Sequence, residues 1–479
     1  MEEQSAPSAA PSAPAKGKGM WIGIAVIVVV AVILVAAVML GVFNAPPATV
    51  DRVLKIGTVL TKTGTSGLEV FGPKNERGTD LAVAEINAAG GVLGNNITIV
   101  HEDDTGLPAT ATARAQKLVN TDQVDAIIGA TGSSLCQSVL AVAKASSVIE
   151  VSASCTSPVF DNLTYTGGWF FRTAPSDALQ GVVAASYAYT NRSFRTMAVI
   201  GNDNSYGRGL ANVFKDKFVA LGGSAQVFIF PLTQSTYTSQ LTTLFNAFSP
   251  NLPDAIYMAE YPTDGLKVLH DWATNSAWSG VSWLFSEGLL EQTGFVDLLP
   301  AQGLSNPTIR AMQGSAPGAY LGVVGSLYDG FLTRYKAAYS GQDPGLFTAN
   351  AYDAVYLLAA AAEYAGSASP SAIRDALRTI SNSPGGTFTG GQWAAMKAQL
   401  DAKTDVNYEG ASGSLNLDQY GDPMSGYGIW GINATNKIYT VAFYPESLVT
   451  TLVSAQAFLG AQMATLSGQL IAGVAPGRN

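Results

Sequence analysis

The chain has 479 residues, of which 47% are hydrophobic and 13% charged, with a formal net charge of −9. This length is enough to bury a large core and predicts two or more domains. The acidic balance gives no electrostatic reason to expect nucleic acid as a partner. The two histidines and two cysteines lack metal-ligand spacing, so the sequence predicts neither a His/Cys metal centre nor a cofactor.

The amino terminus has the pattern of a tail followed by a membrane anchor. Residues 1–19 are rich in Ser, Ala and Pro and are predicted to be a disordered cytoplasmic tail. Residues 20–43 are apolar, and a helix over 22–42 would span about 32 Å, enough to cross a bilayer. Lys16 and Lys18 place its start in the cytoplasm. We therefore expect a single-pass cell-membrane protein with a linker at 44–52 and an extracellular binding domain; a cleaved signal peptide is the alternative.

From residue 53 onward, short apolar strands alternate with amphipathic helices, and this alternation predicts two lobes built on parallel sheets. The predicted strands of this part are 53–60, 97–102, 126–128, 148–151, 169–172, 196–201, 226–230, 255–259 and 281–285. The predicted helices between them are 73–89, 109–120, 135–145, 177–190, 206–221, 237–248 and 265–276.

The last third is predicted to be mainly helical. Helices are expected at 321–339, 349–365 and 370–380, followed by strands at 427–432 and 438–443. Residues 447–472 carry no charge and place six apolar side chains on one helical stripe. We expect this extra C-terminal helix to pack on its own protein; pairing with another helix and membrane contact are the alternatives.

The stretch 125–157 predicts one wall of a ligand site. Its two strands and intervening helix form a βαβ unit, so the strands should be parallel, and the loops 129–134 and 152–157 should emerge at the carboxyl edge where ligands bind. Ser133 and Ser134 lie at the helix start, where unpaired amides and the helix dipole favour an anion such as a carboxylate. The alternative is local: Ser133 caps its helix and Thr156 turns a loop.

Cys136 and Cys155 lie close to these two loops. Neighbouring strands are about 4.8 Å apart, so a disulfide between the two cysteines is feasible. Two buried free thiols are the alternative.

Six strings in order resemble the branched-chain amino-acid binding family of type I periplasmic solute-binding proteins of ABC transporters. The resemblance covers about residues 53–445. The strings are LAVAEINAAGGVLGNNITIVHEDD at 81–104, IIGATGSS at 127–134, VSASCTSP at 151–158, NDNSYGRGLA at 202–211, FSEG at 285–288 and NAYDAVYLLAAA at 350–361.

The resemblance implies a two-lobed α/β fold with two doubly wound parallel sheets and three crossings between the lobes. Lobe one would comprise 53–173 and 316–414, lobe two 174–315 and 415–446, with a C-terminal helix and tail at 447–479. It also implies a non-enzymatic protein that captures an amino acid, or a similar small carboxylate or amide, by cleft closure. The cargo would pass to an ABC permease and its ATPase. A sensor ectodomain that uses the same cleft is the alternative.

The resemblance further implies ligand-binding residues from both lobes. In the family, two loops of lobe one hold the carboxylate, a glutamate of lobe two accepts the amino group, and tyrosines close over the ligand. Phe71 stands where the family often has Tyr, which keeps an aromatic wall and loses a hydroxyl. The matching positions are Ser133, Thr156, Ser154, Thr131, Ser134, Phe71, Tyr206, Tyr261 and Glu287.

Overall fold

The computed structural model describes residues 53–318 and 326–454. The predicted tail, anchor and linker at 1–52, the start of the 321–339 helix and residues 455–479 lie outside these ranges. Within them, no helix is both long and apolar enough to cross a membrane.

The strands form two large sheets and one small one. One large sheet has the order β2-β1-β3-β4-β5, the other β14-β13-β10-β9-β8-β6-β7, and β11 pairs with β12. The strands are β1 Lys55–Leu60, β2 Thr98–Asp103, β3 Ala126–Gly129, β4 Ile149–Ser152, β5 Phe170–Arg172, β6 Thr196–Asn202, β7 Ser224–Phe230, β8 Ala255–Ala259, β9 Ser282–Phe285, β10 Gln313–Pro317, β11 Gly386–Phe388, β12 Val406–Tyr408, β13 Tyr427–Ile432 and β14 Ile438–Tyr444.

The helices begin close to the positions that the apolar periodicity predicts. They are α1 Gly72–Ala88, α2 Pro108–Lys117, α3 Ser133–Ala145, α4 Leu163–Thr166, α5 Asp177–Ser186, α6 Ser205–Ala220, α7 Thr238–Phe248, α8 Pro262–Ala273, α9 Asn306–Ala311, α10 Ser326–Ala338, α11 Thr348–Ala365, α12 Pro370–Ser381 and α13 Trp393–Asp401.

The first lobe is a doubly wound parallel sheet. Its five strands all pair in parallel, and helices cover both faces because each strand alternates buried side chains between them. Ile128 and Val151 share one core with residues of α1 and α11, whereas Ile127 and Phe170 pack on the other face with residues of α2 and α3. The predicted βαβ unit is therefore present.

The second sheet differs from the prediction of a wholly parallel one. Strands β7, β6, β8, β9 and β10 are parallel neighbours, but β13 runs antiparallel to both β10 and β14. The pairing of β13 with β14 follows from the short turn at 433–437, because so few residues can join only antiparallel neighbours. The sequence also failed to predict β10, the small β11–β12 pair and α13.

Two segments bear on the predicted lobe boundaries. Leu415 and Leu417 pack in the core of the first lobe, beyond the boundary expected at 414.

At the end of the described chain, residues 446–454 are helical, and Val449 is fully buried against the second lobe. The ammonium of Lys217 on α6 donates to Leu452 O at 3.0 Å. The described part of the C-terminal helix thus packs on its own protein.

Candidate ligand-binding site

A cavity lies between the two lobes, at the carboxyl edges of both sheets. It holds about 320 Å³ of empty space, open solvent at its mouth included. The lining residues are Leu68, Phe71, Thr131, Gly132, Ser133, Ser154, Tyr206, Tyr261, Glu287, Gly288, Leu346 and Phe347.

The start of α3 supplies backbone donors to one side of this cavity. Gly132 is the N-cap residue and makes no side-chain cap, and its carbonyl accepts the amides of Leu135 and Cys136. The amides before them have no partner within the helix, as at any helix start, so they can bind an anion. A side chain at Gly132 would come within 2.9 Å of Leu68. Glycine therefore permits the loop 129–134 to approach the turn at Leu68–Val70 closely.

Ser133 does not cap its helix. Its buried hydroxyl accepts the amide of Ser157 at 3.2 Å, and so it joins the two polar loops that the sequence identified. Ser154 strengthens the same junction, because its hydroxyl donates to Ala130 O at 3.0 Å. On the other flank, the hydroxyl oxygen of Thr131 accepts the amide of Thr61 at 2.9 Å. These bonds position the loops before any ligand enters.

A disulfide between Cys136 and Cys155 joins the same two loops, and both cysteines are fully buried. Of the two states that the sequence left open, the structure has the bonded one. The bridge ties the first turn of α3 to the segment that follows β4.

Glu287 faces the cavity from the second lobe. It begins a short 3-10 turn, Glu287–Leu289, directly after β9, and is only 2% exposed. Gln180 on α5 donates to its Oε2 at 2.5 Å. Burial raises the pKa of Glu287 to about 7, although hydrogen bonds, among them the one from Gln180, lower it in part. A cationic group in the cavity would favour the ionised carboxylate.

Tyr206 and Tyr261 form an aromatic wall beside Glu287. The side chain of Asn204 caps α6 by accepting the amide of Tyr206 at 2.9 Å, which fixes that residue in the first turn. The two rings stack, with centroids 5.4 Å apart and planes 9° apart. The Tyr206 hydroxyl donates to Ser286 Oγ at 2.8 Å.

Seven of the nine predicted site residues line the cavity, and Thr156 and Ser134 do not. The hydroxyl of Thr156 donates to Asp177 Oδ2 at 2.9 Å. A hydroxyl has one hydrogen, so Thr156 cannot also donate it to a ligand carboxylate. Ser134 lies one position past Ser133, which turns its side chain about 100° around the helix axis. These two residues therefore lie outside the wall of this cavity, and their part in ligand binding stays a prediction.

Three apolar residues of the wall were missed from the sequence: Leu68, Leu346 and Phe347. Phe347 precedes α11 in a left-handed conformation, with φ of 63°. This is unfavourable for a residue with a side chain, and such conformations are found at ligand sites when the surroundings hold them. No local sequence pattern marks these residues, because their role depends on how α11 is placed beside α1.

The lobes touch each other around the cavity. Ser157 of the first lobe donates its hydroxyl proton to Ser205 O of the second at 2.8 Å, and Lys74 on α1 pairs with Glu291 beyond β9. A side chain at Gly67 would come within 2.9 Å of the Thr263 amide at the start of α8. The cleft is therefore closed over the cavity.

Two α/β lobes in contact around a cavity, with helix-start amides on one side and a carboxylate on the other, define a two-lobed ligand-binding protein of the solute-binding class. A profile of the periplasmic binding protein family matches residues 53–403. The chain belongs to this family, whose members are ligand-binding proteins and whose binding domains lie outside the cytoplasm.

Known relatives agree with this assignment. The chain is 27% identical to the chemotactic signal transduction system substrate-binding protein BasB of Halobacterium salinarum, over 78% of this chain and 85% of BasB. It is 28% identical to the Leu/Ile/Val-binding protein BraC3 of Rhizobium johnstonii, over 70% of this chain and 85% of BraC3.

A solved structure shares the fold. The branched-chain amino acid transporter substrate binding protein LivJ of Streptococcus pneumoniae, in complex with isoleucine, is similar with a TM-score of 0.64 and 23% identity. The match covers 82% of this chain and 99% of LivJ.

Proposed function

We propose that this protein captures an α-amino acid with an apolar side chain and delivers it to an ABC permease. The observation that carries the proposal is the opposed polarity of the cavity, with the α3 amides and Ser133 on one side and Glu287 on the other. A zwitterion requires this arrangement, because its carboxylate needs donors and its ammonium needs an acceptor.

The rest of the wall suits an apolar ligand side chain. Leu68, Phe71, Leu346 and Phe347 are all buried and line the cavity. Their contact with an aliphatic group would remove apolar surface from water on both partners. A polar side chain would meet no matching group on that part of the wall and would be penalised for desolvation. The names of relatives that bind Leu, Ile and Val support the same choice.

Calorimetric titration of residues 44–479 with amino acids, short amides and aromatic acids tests the proposal. We expect binding of L-leucine, L-isoleucine or L-valine, weakened more than about tenfold by Glu287→Gln because one charge-assisted bond to the ammonium is lost. Ser133→Ala should also weaken binding. Ser134→Ala is the matched control and should bind like the parent, since Ser134 does not line the cavity. Equal binding by the Glu287→Gln variant would contradict the assignment of the amine site.

Sensing is the second candidate function, because one relative is named as part of a chemotactic system. Transport and sensing use the same cleft, and they differ in the partner protein that recognises the closed form. Uptake of labelled leucine in cells lacking the chain separates them: loss of uptake supports delivery to a permease, and unchanged uptake with a lost behavioural response supports sensing.

We also propose that residues 20–43 anchor the chain in the membrane, with the binding domain outside. The support is the charge-free run 21–43 and the preceding lysines. Fractionation tests this: the full chain should sediment with membranes, and a chain that begins at residue 44 should stay in solution.

A further inference from the structure

An ion pair joins the two lobes close to the cavity. The ammonium of Lys74, in the first turn of α1, contacts Oε1 of Glu291, in the loop after β9. Phe71 comes shortly before Lys74 in the chain and Glu287 shortly before Glu291, and both of these earlier residues line the cavity. The ion pair therefore connects two segments that must separate when the cleft opens.

The carboxylate of Glu291 is oriented by its own loop, residues 291–294, which we call the latch loop. Its Oε2 accepts the Gly294 amide at 2.6 Å and the Thr293 hydroxyl at 3.1 Å. Among the described residues, Lys74 is the only hydrogen-bond partner of Oε1. Lobe two thus presents one oxygen of a fixed carboxylate, and lobe one supplies the cation that balances it.

The side chain of Lys74 is held by lobe one. A side chain at Gly345 would collide with Lys74 Cδ, so the methylene groups of the lysine occupy space that the glycine leaves free. Gly345 directly precedes Leu346 and Phe347, which line the cavity. The position of the ammonium is therefore linked to the same loop that forms part of the cavity wall.

The latch loop also touches lobe one through an apolar contact. A side chain at Gly294 would come within 2.9 Å of Val70 Cγ1. Val70 ends the short turn before α1 and is packed against the core. Glycine at position 294 therefore lets the latch loop approach lobe one closely enough for the ion pair to form.

The closed cleft makes Glu291 dependent on Lys74. The Glu291 side chain is only 3% exposed, whereas Lys74 remains 28% exposed. A carboxylate that is removed from water without a cation raises the free energy of the state that buries it. Loss of the ammonium should therefore destabilise the closed form more than the open one, and a smaller closed population lowers the affinity for any ligand that requires closure.

We propose that Lys74 and Glu291 are positioning residues that hold the cleft closed over the captured amino acid. Neither residue lines the cavity, so the pair controls how fast the ligand leaves and not which ligand enters. The inference rests on the proposed function and adds to it a determinant of residence time that lies outside the binding site.

The first test measures release of labelled L-leucine from the full chain during a chase with unlabelled L-leucine. Lys74→Met keeps the length of the side chain and removes its charge, so we expect release about tenfold faster, with association changed less than about twofold. Lys74→Arg keeps the charge and should release L-leucine more slowly than Lys74→Met. Folding of each variant is checked by circular dichroism.

A double-mutant cycle separates the ion pair from a structural role of either residue. Glu291→Gln keeps an acceptor for the Gly294 amide and removes the charge, so it should accelerate release as Lys74→Met does. The double variant Lys74→Met, Glu291→Gln should release L-leucine no faster than either single variant, because all three lack the same interaction.

Lys62→Met is the matched control. Lys62 and Glu76 form a partly exposed ion pair of 2.7 Å, and both residues belong to lobe one. Removal of this charge should leave both rates unchanged. Added sodium chloride should accelerate release from the parent and have less effect on Lys74→Met, because salt screens the pair that only the parent retains.

Hydrogen exchange of the full chain without ligand tests closure directly. Lys74→Glu places a second carboxylate against Glu291, and the repulsion should open the cleft. The segment 261–265 of lobe two lies against Gly67 of lobe one and contains neither substituted residue. Its amides should exchange faster in Lys74→Glu than in the parent, and Lys62→Met should exchange like the parent.

The outcomes are distinguishable. If Lys74→Met and Glu291→Gln release L-leucine at the parent rate, the ion pair does not hold the cleft closed, while the proposed function stands. If the two effects multiply in the double variant, the residues act separately and the inference is wrong. If no amino acid binds the parent, the proposed function fails, and hydrogen exchange decides the role in closure: faster exchange at 261–265 in Lys74→Glu supports it, and unchanged exchange overturns it.

Discussion

Tyr206 and Tyr261 lie face to face in the wall of the cavity, yet only one of their hydroxyls is firmly held. The Tyr206 hydroxyl donates to Ser286 Oγ at 2.8 Å and lies 3.4 Å from the Gly288 amide. Among the described residues, the Tyr261 hydroxyl accepts one long hydrogen bond, of 3.5 Å, from the side-chain amide of Asn204. The stacked pair is therefore anchored through Tyr206.

This asymmetry predicts different effects of removing each hydroxyl. Tyr206→Phe should weaken L-leucine binding about fivefold, because one hydrogen bond worth about 1 kcal/mol that positions the ring beside Glu287 is lost. Tyr261→Phe should change binding less than twofold, because its hydroxyl makes only a long contact. Calorimetric titration of both variants measures the difference. A larger loss of affinity in Tyr261→Phe than in Tyr206→Phe would contradict the conclusion that the stacked pair is anchored through Tyr206.

Among the residues at the junction between the lobes, Arg172 is predicted to cause the largest loss of stability when it is substituted. Arg172→Ala leaves Asp422 buried without its cation, and we expect a loss of about 3–5 kcal/mol in the free energy of unfolding. Arg172→Lys cannot reproduce the paired bonds to Asp422 and should also destabilise. Urea unfolding measures both.

A matched control lies on the surface of the second lobe. Arg208 and Asp203 form a half-exposed pair, so Arg208→Lys should change stability by less than about 0.5 kcal/mol. An equal loss in the free energy of unfolding for Arg172→Lys and Arg208→Lys would show that burial of the Arg172 ion pair is unimportant for stability.

The disulfide should stabilise the fold and the ligand loops together. Cys136 and Cys155 are 19 residues apart, and closing a loop of this size in the unfolded chain is worth about 3 kcal/mol. The double variant Cys136→Ala, Cys155→Ala should lose about this amount in urea unfolding. Reductant should lower the stability of the parent and leave the double variant unchanged.

Glu150 should make the stability of the protein depend on pH. It lies on β4, between β3 and β5, and is fully buried, and neither carboxyl oxygen has a hydrogen-bond partner in the described chain. Burial raises its pKa well above the usual range. Its contribution to stability is therefore fully present below its unfolded pKa and is lost as the pH rises towards its folded pKa.

The neutral variant Glu150→Gln isolates this contribution. Between about pH 5 and 8, the parent should lose stability relative to the variant by about 1.4 kcal/mol per pH unit, up to the folded pKa of Glu150. Thermal unfolding at several pH values, without ligand, measures the gap. A gap that stays constant with pH would mean that Glu150 remains in the same ionisation state in the folded and unfolded chains.

Much of the first lobe could be predicted because its signals are local. The βαβ unit follows from short apolar runs around a helical repeat, and Ile127 pairs with Glu150 in parallel as expected. Glu287 was identified by the resemblance of FSEG to the family's motif, and its place directly after an apolar strand agrees with that role. Parallel strands bring their carboxyl ends to one edge, so a polar residue at that position is already close to a ligand site.

Other features depend on partners far away in the chain. Arg172 and Asp422 are 250 residues apart, and no periodicity indicates that they meet. The family resemblance predicted Thr156 as a carboxylate ligand, whereas its hydroxyl donates to Asp177, a residue of the other lobe. The strand β10 was missed because its sequence, QGSAP, has no apolar alternation and pairs only because β9 and β13 flank it.

The sequence by itself determined the order of most strands and helices, the first lobe's parallel sheet and the two polar loops at its edge, because these follow from short-range periodicity and turn chemistry. Only the tertiary structure decided which side chains enter the cavity, since closure of two lobes brings together segments as distant as Phe71 and Phe347. It also decided the direction of each hydroxyl and the ionisation of each buried acid. The direction of a hydroxyl and the ionisation of a buried acid depend on groups that are near in space, and burial strengthens the electrostatic interactions with these groups.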